Sequence, residues 1–171
     1  MRVCVVYSSR TGNTRVVGEH LAGCLQLPLF RVQDASTDYD CFILGFWTWR
    51  GGPDEAMASF MRRLYGKSVF FFGTMVAGPD SALAERCAER ARALLEKGRC
   101  RVLGHFFCRG KMDERQLEKS THPLTPERMT RIRLASTHPD EYDLRYAERC
   151  VCEALFPARS FCSAERGVSA P

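Results

Sequence analysis

Several patterns that would assign a chain to a familiar class are missing from this sequence. No run approaches the roughly 18 apolar residues of a membrane span, and the first residues lack the charged region and long apolar core of a signal peptide. No two cysteines have the C-x-x-C spacing of zinc or cluster sites. Neither the Walker loop G-x-x-x-x-G-K-S/T nor the dinucleotide fingerprint G-x-G-x-x-G occurs. We therefore expect a cytoplasmic protein with no membrane span and no metal site.

The balance of charge is uneven but not extreme. The chain has 171 residues, of which 45% are hydrophobic and 26% are charged, which suits one compact domain rather than a disordered chain. The net charge is +5, and the whole excess lies within residues 1–110. Dense Lys/Arg runs, basic–aromatic interleaving and recognition motifs are absent, so this charge does not predict nucleic-acid binding.

Cysteine, in contrast, is abundant, with nine residues. They are Cys4, Cys24, Cys41, Cys87, Cys100, Cys108, Cys150, Cys152 and Cys162. Most occupy apolar positions of predicted strands or helices, where a reduced thiol packs as a small hydrophobic group. His122 and His138, each in a Ser-Thr-His-Pro tetrapeptide, are expected to be turn residues rather than metal ligands.

Short apolar runs separated by helical periodicity extend through residue 107. The predicted strands are Arg2–Tyr7, Pro28–Val32, Cys41–Phe46, Lys67–Gly73 and Cys100–Phe107. The predicted helices are Asn13–Cys24, Asp54–Leu64, Pro79–Glu96 and Glu141–Leu155. Strands without polar alternation indicate a parallel sheet covered on both faces. We expect an α/β fold, a three-layer α/β/α sandwich with a five-stranded parallel sheet.

Finer expectations concern the first helix and the last third of the chain. In the first helix, the residues expected on one buried face are Val16, Val17, His20, Leu21 and Cys24. Residues 111–140 are polar, with weak helical stretches at Asp113–Lys119 and Pro126–Leu134. Thr137 and Asp140 are placed like a capping box for the last helix. The domain is expected to span residues 1–156, and residues 157–171 to form a loosely held tail.

Three connections follow strand ends, where open parallel sheets bind ligands. Ser8–Thr14 joins a strand to a helix and offers four hydroxyls, a carboxamide and backbone N–H groups, which suit a phosphate. Trp47–Pro53 contains both tryptophans of the chain, which suit stacking on a planar ligand. Thr74–Pro79 offers backbone groups for a heterocycle. Together they predict a site for a phosphate joined to a large flat ring.

The stretch Val5–Thr14, followed by Leu21, resembles the flavodoxin signature. Gly45–Gly51 is similar to the aromatic loop after the third strand in one branch of flavodoxin-like proteins, and the resemblance covers about residues 1–156. It implies the strand order 2-1-3-4-5. The departures are Gly18, where alanine is usual, the cations Arg10 and Arg15, and a positive net charge in a typically acidic family.

The resemblance implies FMN as the cofactor. For its phosphate it implies Ser8, Ser9, Arg10, Thr11, Gly12, Asn13 and Thr14. Around the isoalloxazine it implies Phe46, Trp47, Thr48, Trp49, Arg50, Gly51, Gly52, Thr74, Met75, Val76, Ala77 and Gly78. A peptide near Gly51 and Gly52 is a hypothetical hydrogen-bond partner of the reduced ring.

Two functions remain open. The first is an electron carrier that shuttles electrons between redox proteins, with the flavin as the reactive group and no catalytic residue of its own. The second is an FMN-dependent reductase that uses NAD(P)H or reduces a quinone or tetrapyrrole, for which residues 111–140 would be an insertion that covers the flavin. The positive charge near the flavin loops predicts a redox partner with an acidic docking face, or a small acceptor that carries carboxylates.

Overall fold

The computed structural model describes residues 1–112, 114–118 and 123–156, without the side chains of Glu114 and Gln116. The strands are β1 (Val3–Tyr7), β2 (Leu29–Arg31), β3 (Cys41–Trp49), β4 (Gly52–Pro53), β5 (Ser68–Met75) and β6 (Arg101–Arg109). The helices are α1 (Asn13–Leu25), α2 (Glu55–Arg63), α3 (Ala82–Lys97), α4 (Glu114–Glu118), α5 (Pro126–Ala135) and α6 (Glu141–Leu155).

Five parallel strands form the sheet in the order β2-β1-β3-β5-β6. The short strand β4 lies off this path and pairs antiparallel with the end of β3. The predicted three-layer sandwich is confirmed, and the predicted order 2-1-3-4-5 is confirmed once β4 is left out of the numbering. The carboxyl ends of β1, β3, β5 and β6 lie side by side, which places the connections that follow them at one edge.

The sheet is buried on both faces, which explains why its strands lack polar alternation. Along β3, Phe42 and Leu44 pack into one cluster, which α2 and α3 cover. Ile43, between them, packs into the opposite cluster with Val17 of α1 and Val151 of α6. Side chains of a strand point alternately to its two faces, so an apolar residue is needed at every position.

Two glycines are required by this packing. A Cβ on Gly45 would lie 2.2 Å from the ring of Phe72, and a Cβ on Gly73 would lie 2.3 Å from the ring of Phe107. Each glycine therefore leaves room for a phenylalanine ring of a neighbouring strand to lie over the backbone.

The predicted buried face of α1 is partly wrong. Val16 is 43% exposed and Cys24 is also exposed. The buried residues of the helix are Asn13, Thr14, Val17, Gly18, Leu21 and Ala22. Small residues lie in the stripe that faces the sheet, and a Cβ on Gly18 would make an ordinary contact with Leu29 at 3.6 Å. Packing on the sheet thus decides which face is buried, and hydrophobicity alone selects the wrong neighbours.

The predicted capping box of α6 is also shifted. Asp140 is the N-cap and accepts a hydrogen bond from the backbone N–H of Asp143, whose side chain accepts one from the N–H of Asp140. Thr137 is not part of this pair. An aspartate at both positions satisfies the same two backbone donors that a Thr/Glu box would satisfy.

Most described cysteines are small core residues, as predicted. Burial raises the pKa of Cys4 and Cys87 to about 12 and that of Cys41 to about 11, so these thiols stay protonated. Cys24 is the exposed exception.

Some predictions lie outside the described residues. They concern Cys162, His122, the ends of the predicted helix Asp113–Lys119 and the tail at 157–171. In the part of the chain that is described, no helix is long and apolar enough to cross a bilayer.

Candidate functional site

A cleft opens at the edge where the carboxyl ends of four strands meet. It is lined by Arg10, Thr11, Asn13, Trp47, Thr48, Trp49, Thr74, Met75, Val76, Gly110, Lys111 and Met112. The structure therefore brings together residues from all three predicted connections. Gly110, Lys111 and Met112, which follow β6, were not among the predicted cofactor-binding residues, although Lys111 and Met112 begin the segment that was expected to cover the flavin.

The second connection was predicted to be a loop, but in the structure it is a β-hairpin. β3 continues through Trp49, turns at Arg50 and Gly51 and returns as β4, with Thr48 opposite Pro53. Arg50 and Gly51 have φ values of 49° and 76°, and positive φ at both turn residues is what a type I′ hairpin requires. The alternation Trp-Thr-Trp before a glycine was the overlooked signal.

The hairpin and the first connection together carry an aromatic and cationic surface. The rings of Trp47 and Trp49 lie 5.5 Å apart at 54° to each other. The guanidinium of Arg10 lies 5.5 Å from the Trp47 ring and that of Arg50 lies 5.4 Å from the Trp49 ring. Trp49 is 47% exposed. The two indoles thus present partly exposed faces at the cleft, with positive charge beside them.

The N-terminus of α1 is open to an anion. Its N-cap is Gly12, with φ of 95°, and no side chain caps the helix. The first turn contains no acidic residue, while Arg15 lies within it. The first backbone N–H groups of a helix have no partner within the helix and carry partial positive charge. This end of α1 can therefore bind a phosphate.

Hydrogen bonds within the first connection hold its shape. The hydroxyl of Ser9 accepts from the N–H of Gly12 at 3.2 Å. The carboxamide of Asn13 donates to the hydroxyl of Thr11 at 3.1 Å and to the carbonyl of Lys111 at 2.8 Å. Asn13 therefore ties the connection after β1 to the one after β6.

Asp54 lies beneath the site as the N-cap of α2. It is 3% exposed; its Oδ1 accepts from the hydroxyl of Ser8 at 2.8 Å and from the N–H of Met57 at 3.4 Å. Its Oδ2 is buried without a hydrogen-bond partner among the described residues. Burial raises the pKa of Asp54, against the lowering effect of these hydrogen bonds. The hydroxyl of Ser8 is thus already engaged.

Several predicted site residues lie away from the cleft surface. Phe46 is fully buried and stacks on Phe71 in the core. Thr14 shares a 2.8 Å hydrogen bond with the hydroxyl of Thr74 inside the protein. The others that do not line the cleft are Ser8, Ser9, Gly12, Arg50, Gly51, Gly52, Ala77 and Gly78.

Local packing explains the positions of the glycines among them. A Cβ on Gly78 would lie 2.8 Å from the guanidinium of Arg109, and one on Gly52 would lie 3.3 Å from the side chain of Arg90 in α3. Arg90 also donates to the backbone carbonyl of Arg50. The hairpin turn therefore packs on α3, and the role of its glycines toward a ligand stays a prediction.

The positions of Gly110, Lys111 and Met112 follow from the topology of the sheet. Because β6 is parallel to β5, residues 110–112 must emerge at the same edge as Thr74–Val76. The N–H of Gly110 donates to the carbonyl of Met75 at 2.8 Å, and that of Lys111 donates to the carbonyl of His138 at 2.9 Å. The predicted covering segment, residues 111–140, thus begins at the cleft.

A doubly wound sheet of this order, with an open helix N-terminus beside two indoles, defines a flavodoxin-type protein. The family model described as a flavodoxin domain matches residues 4–152, and the chain belongs to this family. It is 30% identical to the flavodoxin-like domain-containing protein BilS of Clostridium symbiosum, over 84% of this chain and 90% of that protein. The corresponding protein of Clostridioides difficile is 26% identical over the same shares.

Solved structures show the same fold. Oxidised flavodoxin 2 from Bacillus cereus superposes with a TM-score of 0.59 at 17% identity, covering 90% of this chain and 98% of that one. A flavoprotein from Lactobacillus acidophilus in complex with FMN gives a TM-score of 0.50 at 12% identity, covering 71% and 99%.

Proposed function

We propose that this protein binds FMN and carries electrons between redox partners. The observation that carries the proposal is the uncapped, acid-free N-terminus of α1 next to a cleft lined by two indoles. When bound, the flavin supplies the electron transfer, and the protein holds it, orients it and sets its surroundings.

The residues present fit FMN. The unpartnered N–H groups of α1, with Arg10 beside them, are suited to the phosphate. Trp47 and Trp49 supply flat apolar faces for the ring. Thr74, Met75 and Val76 bring backbone groups and an apolar side chain to the same cleft, which would exclude water from one part of the ring.

The lining favours a carrier over a reductase. Among the described residues that line the cleft, the charged groups are Arg10 and Lys111, and none is His, Cys, Asp or Glu. A reductase that protonates its substrate needs a proton donor in reach, and Lys111 is the one ionisable proton donor among these lining residues apart from the guanidinium of Arg10. Asp54, the nearby carboxyl, is buried beneath the site and hydrogen-bonded to Ser8.

Two measurements test the proposal. The purified protein should release FMN on denaturation, and it should oxidise NADH or NADPH negligibly unless a flavodoxin reductase is added. A protein that does not bind added FMN would refute the cofactor. Sustained NAD(P)H oxidation with a quinone as acceptor, without a partner protein, would instead establish a reductase.

The partner is proposed to present an acidic face. Arg10, Arg50 and Lys111 surround the exposed indoles, and such positive potential attracts anionic reactants at low ionic strength. Ferricyanide, a small anionic acceptor, probes that potential directly. Oxidation of the reduced protein by ferricyanide should slow severalfold as salt is raised, and also in Arg50→Gln.

The matched control is Arg101→Gln, at the opposite end of β6 from the cleft. Its rate should stay close to that of the unmodified protein. A salt-independent rate, or equal effects of the two variants, would contradict a cationic docking face.

A further inference from the structure

Three metal-ligating side chains, His20, Cys24 and Glu148, meet on the outer side of the α1–α6 pair. His20 and Cys24 are four residues apart on α1, so they lie on one face of that helix, and Glu148 and Cys152 have the same spacing on α6. The two helices pack against each other on the same face of the sheet. The cluster is far along α1 from the phosphate end and does not belong to the flavin cleft.

The distances suit tetrahedral zinc. Nε2 of His20 lies 3.6 Å from Sγ of Cys24 and 3.4 Å from Oε2 of Glu148. With zinc bonds of about 2.3 Å to sulfur and about 2.0–2.1 Å to nitrogen and oxygen, tetrahedral angles place S and N about 3.5 Å apart and N and O about 3.4 Å apart. All three ligand atoms lie within 4.8 Å of one another.

Nε2 of His20 lies near both the Cys24 sulfur and the Glu148 oxygen, as is required if these three atoms bind one metal ion. The side chains are also reachable, since those of His20 and Glu148 are 24% and 32% exposed and Cys24 is exposed. Three protein ligands leave the fourth tetrahedral position for a water molecule, as in zinc sites with an open position.

The negative charges of the cluster favour the binding of a cation. Burial is the largest cause that raises the pKa of Cys24. The negative charges of Glu148 and then Cys152 raise it further, since a nearby negative charge disfavours the thiolate. A divalent cation would reverse that repulsion and release the proton from the thiol.

A second cluster of a histidine and two carboxylates, at the start of α6, has a structural role instead. His138, Asp140 and Asp143 also lie close together, but the two aspartates form the capping box of α6 and His138 contacts Asp143. Those groups have a structural task. His20, Cys24 and Glu148 cap no helix end, and the contact between the helices that they supply is the 3.4 Å pair of His20 and Glu148.

We propose that His20, Cys24 and Glu148 form a binding site for a zinc-type divalent ion that joins α1 to α6. The mixed set of nitrogen, sulfur and oxygen ligands suits zinc over magnesium or calcium. The bound ion would pin the helix whose other end forms the anion site. The proposal does not depend on FMN binding. The C-x-x-C rule misses such a site because two of its ligands are a His and a Cys four residues apart and the third comes from another helix.

The test uses cobalt(II) as a spectroscopic probe on the full chain, stripped of metal by a chelator and kept reduced with a phosphine. One cobalt per chain should bind, with a thiolate-to-cobalt charge-transfer band and the intense visible bands of tetrahedral coordination. Zinc should displace it. His20→Ala and Cys24→Ser should each weaken zinc binding by at least about tenfold.

Cys150→Ser is the matched control, because Cys150 lies on α6 outside the cluster and contacts Tyr146. It should bind cobalt like the unmodified protein. Circular dichroism verifies that each variant is folded. Octahedral cobalt without the charge-transfer band, or equal affinity in Cys24→Ser and Cys150→Ser, would overturn the proposal.

Discussion

The N-termini of α1 and α2 lie near each other and are built in opposite ways. α2 begins with its own carboxylate: Asp54 caps it and Glu55 occupies its first turn. α1 begins with Gly12, without a side-chain cap and without an acid in its first turn. The other helices of nine or more residues, α3, α5 and α6, follow the pattern of α2, each with a capping side chain and an acidic first turn.

This difference separates a structural helix end from the one that we propose binds a ligand. At α2 the positive end of the helix is neutralised within the protein, which stabilises the fold by about 1 kcal/mol per cap. At α1 no side chain of the described residues caps the same groups, so the apoprotein lacks that stabilisation. Ser8 links the two ends, since its hydroxyl donates to Asp54.

The largest effect is expected when a carboxylate is introduced at the N-terminus of α1, because this helix end then resembles that of α2. Ser9→Asp keeps an acceptor for the N–H of Gly12 but places a negative charge where the phosphate is proposed to bind. FMN affinity should fall by about 100-fold or more, because like charges in such a site cost several kcal/mol. Fluorescence titration of the apoprotein measures it.

Two controls accompany this variant. Ser9→Asn keeps the acceptor without the charge and should bind FMN within a few-fold of the original. Riboflavin, which lacks the phosphate, should bind Ser9→Asp and the original protein about equally. An equal loss for both ligands would mean that the loop had been distorted.

A smaller effect is expected at the α2 end. Asp54→Asn keeps an acceptor for Ser8 and Met57, whereas Asp54→Ala loses both bonds. Asp54→Ala should therefore be less stable than Asp54→Asn by about 1–2 kcal/mol. Urea unfolding of the apoproteins at neutral pH gives the difference. Equal stabilities would show that the cap contributes nothing.

The pH dependence of Asp54 has a defined sign. Burial raises its pKa above the ordinary 3.8, so the folded protein binds this proton more tightly than the unfolded chain. Its contribution to stability is present below the unfolded pKa and is lost as pH rises through the folded pKa. Asp54→Asn should therefore gain stability relative to the original as pH rises from about 4 to about 7. The opposite trend would contradict the raised pKa.

The smallest effect is expected at Arg15, in the first turn of α1. It pairs with Glu19 at 2.7 Å on the surface. Arg15→Gln should lower FMN affinity by about two- to fivefold, since a first-turn charge interacts with an anion by about 0.3–1 kcal/mol. Unfolding stability should change by less than about 0.5 kcal/mol. Arg99→Gln, at the opposite edge of the sheet, serves as the charge control and should leave FMN affinity unchanged.

Predictions from sequence succeeded where a local pattern carries the whole signal. Apolar runs and helical periodicity identified the parallel strands and most helices. The Ser8–Thr14 connection was placed correctly because a strand, a hydroxyl-rich turn and a helix follow in direct succession. The first strand-end residues of the other two connections, Trp47 and Thr74, line the cleft as expected from the sheet edge.

The failures have a common physical cause: they depend on contacts between segments distant in sequence. Phe46 was assigned to the cofactor, but it is fully buried and stacks on Phe71 of the neighbouring strand β5. Val16 was assigned to the core, but the face of α1 that packs on the sheet contains Val17, Gly18 and Leu21 and leaves Val16 exposed. The end of β6 was overlooked because only its pairing with β5 brings Gly110 beside Met75.

By itself the sequence determined the layer architecture, the order of elements and the position of the Ser8–Thr14 connection between a strand and a helix, since each rests on neighbours along the chain. Tertiary structure alone decided that Asp54 takes the hydroxyl of Ser8, that Arg90 holds the hairpin turn, and that His20 and Cys24 meet Glu148. Those contacts join residues 40 or more positions apart. No local periodicity encodes them, because packing of helices on the sheet sets which side chains come within reach.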